Sequence, residues 1–433
     1  MARPTLIRRA VTALFRLFVR TFFRRIEVVG LEHLPPEAPV LFAVNHPNGL
    51  VDPLFLLCYA PRPISFLAKA PLFRYPVIGQ LARAMESIPV HRKQDNTAGT
   101  HAETFARARE ILGRGGSIAI FPEGTTHSDP RLRELKTGAA RIALGAHLET
   151  LYVMPAGIYY TAKTKFRSSA LVVFGPPLPV PLTEADADGE PPREAVEALT
   201  ARIDDALDAV TLQADSHAAL ELIAFAENLL TANEAQPLAE ELELRRRFVD
   251  GYAFLRERDP ERLEQLESKV RQLAAELGRA GIEAHELVPR FDVTTLFRVI
   301  VLIPVAIVGA IPHYPAYRLI RLIAHRVAKK EEELLATVKV LAGMTLYPLT
   351  WIALAWLVGA RYGAPWGFGT LVLLPLLGWI ALRVLEDLDD ITGRTRALWH
   401  RLFRRRGYEQ LVAQRSEIRR EVMAVAEEMD ARP

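Results

Sequence analysis

His46 and Asp52, set in the run Asn45-His46-Pro47-Asn48-Gly49-Leu50-Val51-Asp52-Pro53, are the residues best suited to chemistry. An imidazole can take a proton, and a carboxylate can orient it and stabilise its charge. Acyl transfer to an alcohol needs that pairing. Downstream, Phe121-Pro122-Glu123-Gly124-Thr125 offers another carboxylate on a glycine turn, directly after a strand-like run. Six residues are about 600° around an ideal helix, so one regular helix would not put His46 and Asp52 on one face. Pro47 and Gly49 argue for a loop instead. Asp52-Pro53 then reads as an N-cap followed by proline at the first helical position, opening a helix from Pro53 to about Tyr59. A loop histidine could fold back onto such a capping carboxylate. The competing reading is a surface histidine beside a structural cap.

The elements that must position these residues alternate in type. Strand candidates are 26–31, 40–45, 64–68, 87–91, 117–121, 152–158 and 170–174, and helices fall near 53–60, 71–84, 100–113 and 137–148. The pattern predicts an α/β domain over 26–182, with a central mostly parallel or mixed sheet flanked by helices. His46 and Glu123 each follow the C-terminal end of a strand, where open α/β sheets place their sites. Gly113-Arg114-Gly115-Gly116 follows a helix and precedes a strand, so it reads as a C-cap and turn and not as a nucleotide loop.

The chain has 433 residues, half of them hydrophobic, a net charge of +3 and one cysteine. The small charge gives no support to nucleic-acid binding. Cys58 alone excludes an intramolecular disulfide and a cysteine zinc cluster, and its apolar surroundings make it a core residue. There is no internal repeat, phosphate-binding lysine loop or serine nucleophile elbow. Residues 1–25 carry seven arginines and no acid. Leu6, Ile7, Val11, Leu14, Phe15, Phe18, Phe22 and Phe23 recur there at helical spacing. This describes a basic amphipathic helix for a membrane interface, against the alternative of a helix packed on its own domain. Residues 183–290 begin as a linker rich in proline and acid and continue as polar, solvated helices.

Within 337–386, segments 340–360 and 362–382 lack charged residues and are separated by Arg361. They predict a C-terminal transmembrane helical hairpin. Arginines and lysines flank both ends, which places both ends in the cytoplasm. The run 299–312 is shorter and interrupted by Pro304, so 291–336 is predicted to be interfacial or re-entrant. Residues 387–433 form a basic cytoplasmic helical tail. The whole describes an integral protein of the cytoplasmic membrane.

The run Asn45–Pro53 and Phe121–Thr125 resemble the first and third motifs of the phospholipid/glycerol acyltransferase (PlsC-like) family. Ser87-Ile88-Pro89-Val90-His91-Arg92 resembles the second, with Glu86 where a glycine usually opens it, and Val153-Met154-Pro155-Ala156-Gly157 approximates the fourth. Most members place four residues between the His and the Asp. The five found here are similar to the yeast-type glycerol-3-phosphate/dihydroxyacetone-phosphate branch, as is the distance from Phe121 through His127 and Pro130 to Lys136-Thr137-Gly138. The likeness continues more weakly through 326–330 and 337–340.

The resemblance implies a glycerolipid acyltransferase fold with His46 and Asp52 as catalytic residues. It implies substrate binding by Asn45, Arg92, Glu123, Gly124, Thr125 and Lys136. Glu123 would accept an acceptor hydroxyl or hold Arg92, and Thr126 stands where many members have arginine. The expected acyl donor is a thioester, acyl-CoA or acyl-carrier protein, used as a substrate, with no cofactor and no metal. The expected acceptor is glycerol 3-phosphate, with lysophosphatidate (1-acylglycerol 3-phosphate) as the alternative. A non-catalytic membrane scaffold and a lipid hydrolase are remoter readings.

Overall fold

The computed structural model describes residues 6–74, 76–91, 101–186, 189–214, 216–230, 237–282, 293–328 and 332–431. Two compact units divide it: Met1–Gln213 with Lys330–Thr337, and Ala214–Lys329 with Val338–Pro433.

The first unit is built on one sheet. Its strands are β1 (Arg25–Val29), β2 (Val40–Val44), β3 (Ile64–Lys69), β4 (Ile88–Val90), β5 (Ser117–Ile120), β6 (Tyr152–Tyr160), β7 (Ser169–Phe174) and β8 (Leu178–Pro179). They lie in the order β1-β7-β6-β2-β5-β3-β4, with β8 paired to β6. Pairing is parallel except where β6 meets β7 and β8. The sheet is thus mixed and mostly parallel, and each expected strand is present; the two-residue β8 carried too short a signal to be read.

Both faces of the sheet are covered, which is why β2 reads Val-Leu-Phe-Ala-Val without alternation and is buried throughout. Leu41 and Ala43 face a core shared with α4 (His101–Gly113), α5 (Gly138–Leu144) and α6 (Arg193–Asp208). On the other side, α1 (Leu6–Phe22) packs against α2 (Val51–Tyr59), with the Phe23 ring 5.1 Å from Phe55. A short α3 (Pro76–Ala84) leads to β4.

The domain boundary was expected at 182, but the compact unit runs to Gln213, because Val196, Leu199, Ile203 and Leu207 of α6 complete the core. The helix expected from Pro53 begins at Val51 with Leu50 as N-cap, so Asp52 is not the cap. The preceding loop already winds into a turn, with Asp52 N–H donating to the Asn48 carbonyl at 3.1 Å. Glu86 takes a left-handed φ of 53°, so the turn before β4 is kept by a residue that pays for it in strain.

Helix α1 packs on its own domain along one face and leaves the other apolar and exposed. Val19 and Phe22 are buried, and Arg8 donates inward to the Ile64 carbonyl at 2.6 Å. Leu6, Leu14 and Leu17 stay exposed on the other face.

The second unit is helical. It contains α7 (His217–Leu230), α8 (Leu238–Arg258), α9 (Pro260–Ala280), α10 (Val293–Ala328), α11 (Glu332–Tyr362, which starts in the first unit), α12 (Ala364–Phe403) and α13 (Arg405–Asp430). The charged α9 packs on α13 through Val270, Leu273, Leu277 and Ile418, with Arg262–Glu428 and Lys269–Glu417 ion pairs along the seam. Thr294–Val327, Thr337–Tyr362 and Ala364–Asp389 are long and apolar enough to cross a membrane, by length and composition.

The hairpin turns at Gly363, whose φ is 100°, two residues after the Arg361 that separates the apolar segments. The interruption expected at Pro304 does not occur, since α10 runs through Pro304, Pro312 and Pro315. A proline removes one helical hydrogen bond, and packing along the helix tolerates that loss: Val299 and Ala306 pack against Ala381 and Val384 of α12. Helix α12 likewise continues past 386 to Phe403.

Candidate functional site

Three neighbouring parallel strands, β5, β2 and β6, supply the site: β2 and β5 end side by side, and β6 runs past them to Tyr160. His46 leaves the end of β2, Glu123 the end of β5, and Tyr160 closes β6. Asn45 fixes the exit of β2. Its carboxamide accepts from Ile158 N–H at 2.7 Å and donates to the Ile158 carbonyl at 3.1 Å, extending the pairing with β6 by side chain. Expected among the substrate ligands, it has both amide ends engaged with backbone.

The loop after Asn45 folds His46 back onto the start of α2. His46 Nδ1 lies 2.8 Å from Asp52 Oδ2. That carboxylate is fully buried and also accepts from Asn48 N–H at 2.7 Å and from the Tyr160 hydroxyl at 2.5 Å. With Asp52 as acceptor, the ring proton sits on Nδ1, and Nε2 keeps its lone pair for a substrate. Nε2 makes no hydrogen bond among the described residues, and the His46 side chain is 15% exposed. The Phe121 ring stacks on the imidazole at 4.0 Å and limits its rotation. Burial pushes the Asp52 carboxyl up from the ordinary range, and the hydrogen bonds from His46, Tyr160 and Asn48 N–H oppose that rise. Burial and the neighbouring Asp52 raise the Tyr160 phenol well above its usual value, so it stays a donor.

Glu123 braces the loop. Oε1 accepts from His46 N–H at 2.9 Å, and Oε2 accepts from Arg133 N–H at 3.0 Å and meets His127 Nε2. His127 Nδ1 accepts from Asp129 N–H at 3.1 Å, so the proton donated to Glu123 is on Nε2. His127 N–H also donates to the His46 carbonyl at 3.3 Å. The loops after β2 and β5 are thereby tied through one buried carboxylate. An acceptor hydroxyl or Arg92 was the expected partner of Glu123; the structure fills both oxygens with loop contacts, and Arg92 lies outside the described residues.

Gly124 turns the chain at φ 72°, its N–H donating to the Phe121 carbonyl at 2.9 Å. The exposed Lys136 passes over this glycine: a Cβ there would stand 2.5 Å from Nζ. Thr125 is exposed beside it. Gly124, Thr125 and Lys136 thus share one stretch of surface next to the braced loop. Sequence reasoning missed three contributors. Tyr160 had no signal beyond its place at a strand end. Lys163 Nζ approaches the Pro47 carbonyl at 3.5 Å and contacts Ser128 Oγ. Thr337, which belongs to the first unit, accepts from Leu50 N–H at 3.1 Å.

Comparison with known proteins agrees with this architecture. Residues 25–159 match the family model described as Acyltransferase, and residues 222–432 match the Glycerol-3-phosphate acyltransferase 2 C-terminal domain. An uncharacterized acyltransferase of Schizosaccharomyces pombe is 25% identical over 77% of this chain and 66% of its own length. Glycerol-3-phosphate O-acyltransferase 2 of Saccharomyces cerevisiae is 30% identical over 60% of this chain and 38% of its own. Glycerol-3-phosphate O-acyltransferase 1 of the same yeast is 26% identical over 79% of this chain and 60% of its own. The matched regions thus span less than two thirds of the length of each of these relatives.

Proposed function

We propose, from the match of residues 25–159 to the acyltransferase family model, that this chain is a membrane-bound O-acyltransferase. It moves a fatty acyl group from a thioester, acyl-CoA or acyl-carrier protein, to the hydroxyl of glycerol 3-phosphate. The observation that carries this reading is the 2.8 Å contact of His46 Nδ1 with a buried carboxylate, which leaves Nε2 as a proton acceptor.

His46 Nε2 takes the acceptor's hydroxyl proton as its oxygen attacks the thioester carbonyl. Asp52 holds the imidazole in the required tautomer and stabilises the imidazolium that forms. The tetrahedral intermediate then expels the thiolate, which receives the proton and leaves as thiol. General-base assistance of this kind is worth about 10²–10⁴ in rate. Lys136 and Arg92 supply charge for the phosphate, with Gly124 and Thr125 beside Lys136.

The hydrogen bond from Leu50 to Thr337 supports chemistry at the membrane surface, because Thr337 stands three residues before the uncharged segment 340–360. In this reading the apolar helices hold the protein in the cytoplasmic membrane, with the first unit on its cytoplasmic face. The acyl product then forms beside the bilayer that receives it.

Purified protein in detergent or vesicles, given radiolabelled acyl-CoA or acyl-carrier protein with and without glycerol 3-phosphate, tests the proposal. Label should appear in an acylglycerol phosphate only when the acceptor is present. Release of free fatty acid irrespective of acceptor would instead mark a hydrolase. A tenfold or greater preference in kcat/KM for 1-acylglycerol 3-phosphate would move the enzyme to the second acylation step.

A further inference from the structure

Between the base and the carboxylate that orients it lies a polar side chain with no assigned use. Asn48 is 1% exposed, and neither its carboxamide nitrogen nor its carboxamide oxygen has a hydrogen-bond partner. Buried polar atoms are nearly always paired, so an amide unpaired at both ends calls for a reason.

The ordinary reasons for an asparagine in a loop do not apply. Its backbone is not left-handed, since the non-glycine residues with positive φ are Glu86, His147 and Arg167 among the described residues. It is not a helix cap, because Leu50 occupies that position of α2. Only its backbone takes part in the site: Asn48 N–H donates to Asp52 Oδ2, the oxygen that also faces His46 Nδ1. Any residue other than proline could provide that N–H. The carboxamide is therefore kept at a cost to the fold, which proteins bear chiefly at functional sites.

We propose that the Asn48 carboxamide binds the acyl acceptor, hydrogen-bonding a hydroxyl of the polyol as that molecule seats against His46. A carboxamide both donates and accepts, as a hydroxyl does, and it carries no charge to disturb the buried Asp52, whose Oδ2 the Asn48 backbone N–H already meets at 2.7 Å. The amide is enclosed, so the contact requires the 46–51 loop to give way as the acceptor enters. The inference rests on the acyltransferase reading above and assigns a specificity group within it.

The test is a comparison of wild type with Asn48→Leu, a near-isosteric apolar variant, measuring thermal unfolding and separate kinetic constants for acceptor and thioester. Removing a buried unpaired amide should hold or raise Tm. Acceptor kcat/KM should fall about tenfold or more, the scale of one lost hydrogen bond, with the thioester KM unchanged. Asn48→Ser, which restores a smaller hydrogen-bonding group, should recover part of the loss. A fallen Tm with unchanged acceptor constants would mean that the amide serves the fold through an ordered water, and would overturn the proposal. An equal loss toward both substrates would also overturn it. If Asn48→Leu does not fold, Asn48→Ala decides by the same kinetic split. Wild type inactive toward both glycerol 3-phosphate and 1-acylglycerol 3-phosphate would defeat the functional reading and this inference together. An active wild type with an unaffected variant would defeat this inference alone.

Discussion

Replacing Asp52 by asparagine should separate catalysis from stability. The carboxylate is fully buried and takes three donors: His46 Nδ1, Asn48 N–H and the Tyr160 hydroxyl. An asparagine with its oxygen in the Oδ2 position keeps the first two, and Tyr160 can turn its hydroxyl to accept from the new amide. What disappears is the charge. Without it the imidazolium formed during turnover is not stabilised, and kcat should fall by about 10²–10⁴, or about 3–5 kcal/mol of barrier.

Stability should move the other way. Burial raises the Asp52 carboxyl above its unfolded value. The stability it contributes is thus fully present below the unfolded carboxylate range, near about 3.9, and is lost as pH rises through the folded value. At neutral pH the wild type carries the cost of a buried charge and Asp52→Asn does not. Its Tm should equal or exceed that of wild type there, with the difference closing as pH falls toward 4. Asp52→Ala strands three donors, each costing about 1–3 kcal/mol, and should unfold at far lower temperature. Scanning calorimetry from pH 4 to pH 8 and acyltransfer assays on both variants read these outcomes. If Asp52→Asn kept a tenth of wild-type kcat, or lost as much Tm as Asp52→Ala, the assignment of Asp52 would be wrong.

Four further outcomes follow from the same geometry. His46→Ala should abolish turnover while membrane association persists, and retention of more than a tenth of the activity would sink the mechanism. Glu123→Gln keeps the size but must turn an NH₂ toward either His46 N–H or the His127–Arg133 pair; a loss of about 1–3 kcal/mol in chemical denaturation, with a lowered kcat, is expected. Gly124→Ala forces a side chain into left-handed backbone and against Lys136, costing about 1–2 kcal/mol and raising the acceptor KM, whereas Glu86→Gly relieves the same kind of strain and should leave Tm equal or higher. With Cys58 replaced by serine, a cysteine at Gly363 should react with an impermeant maleimide from outside intact cells; labelling only after lysis would place the hairpin turn elsewhere.

The sequence by itself determined the elements and the chemistry they could carry. Residues 40–44 and 118–120 are unbroken apolar runs because strands covered on both faces have no wet side to alternate with. The His46–Asp52 pairing was legible because proline and glycine between them exclude a regular helix. The reach of α10 was not legible, since a proline reads locally as a stop and only the packing of Val299 and Ala306 on α12 shows the helix continuing. Tertiary structure decided the rest, because it joins residues that no local pattern relates. Register sets the ends of β2 and β5 side by side and carries β6 past them, and only then does Tyr160 reach Asp52. The same convergence makes Glu123 a brace between loops, since its oxygens meet His46 N–H from one loop and His127 and Arg133 from another. A carboxylate's role depends on which donors arrive, and one of them, His46 N–H, comes from a segment 77 residues before Glu123 in the chain.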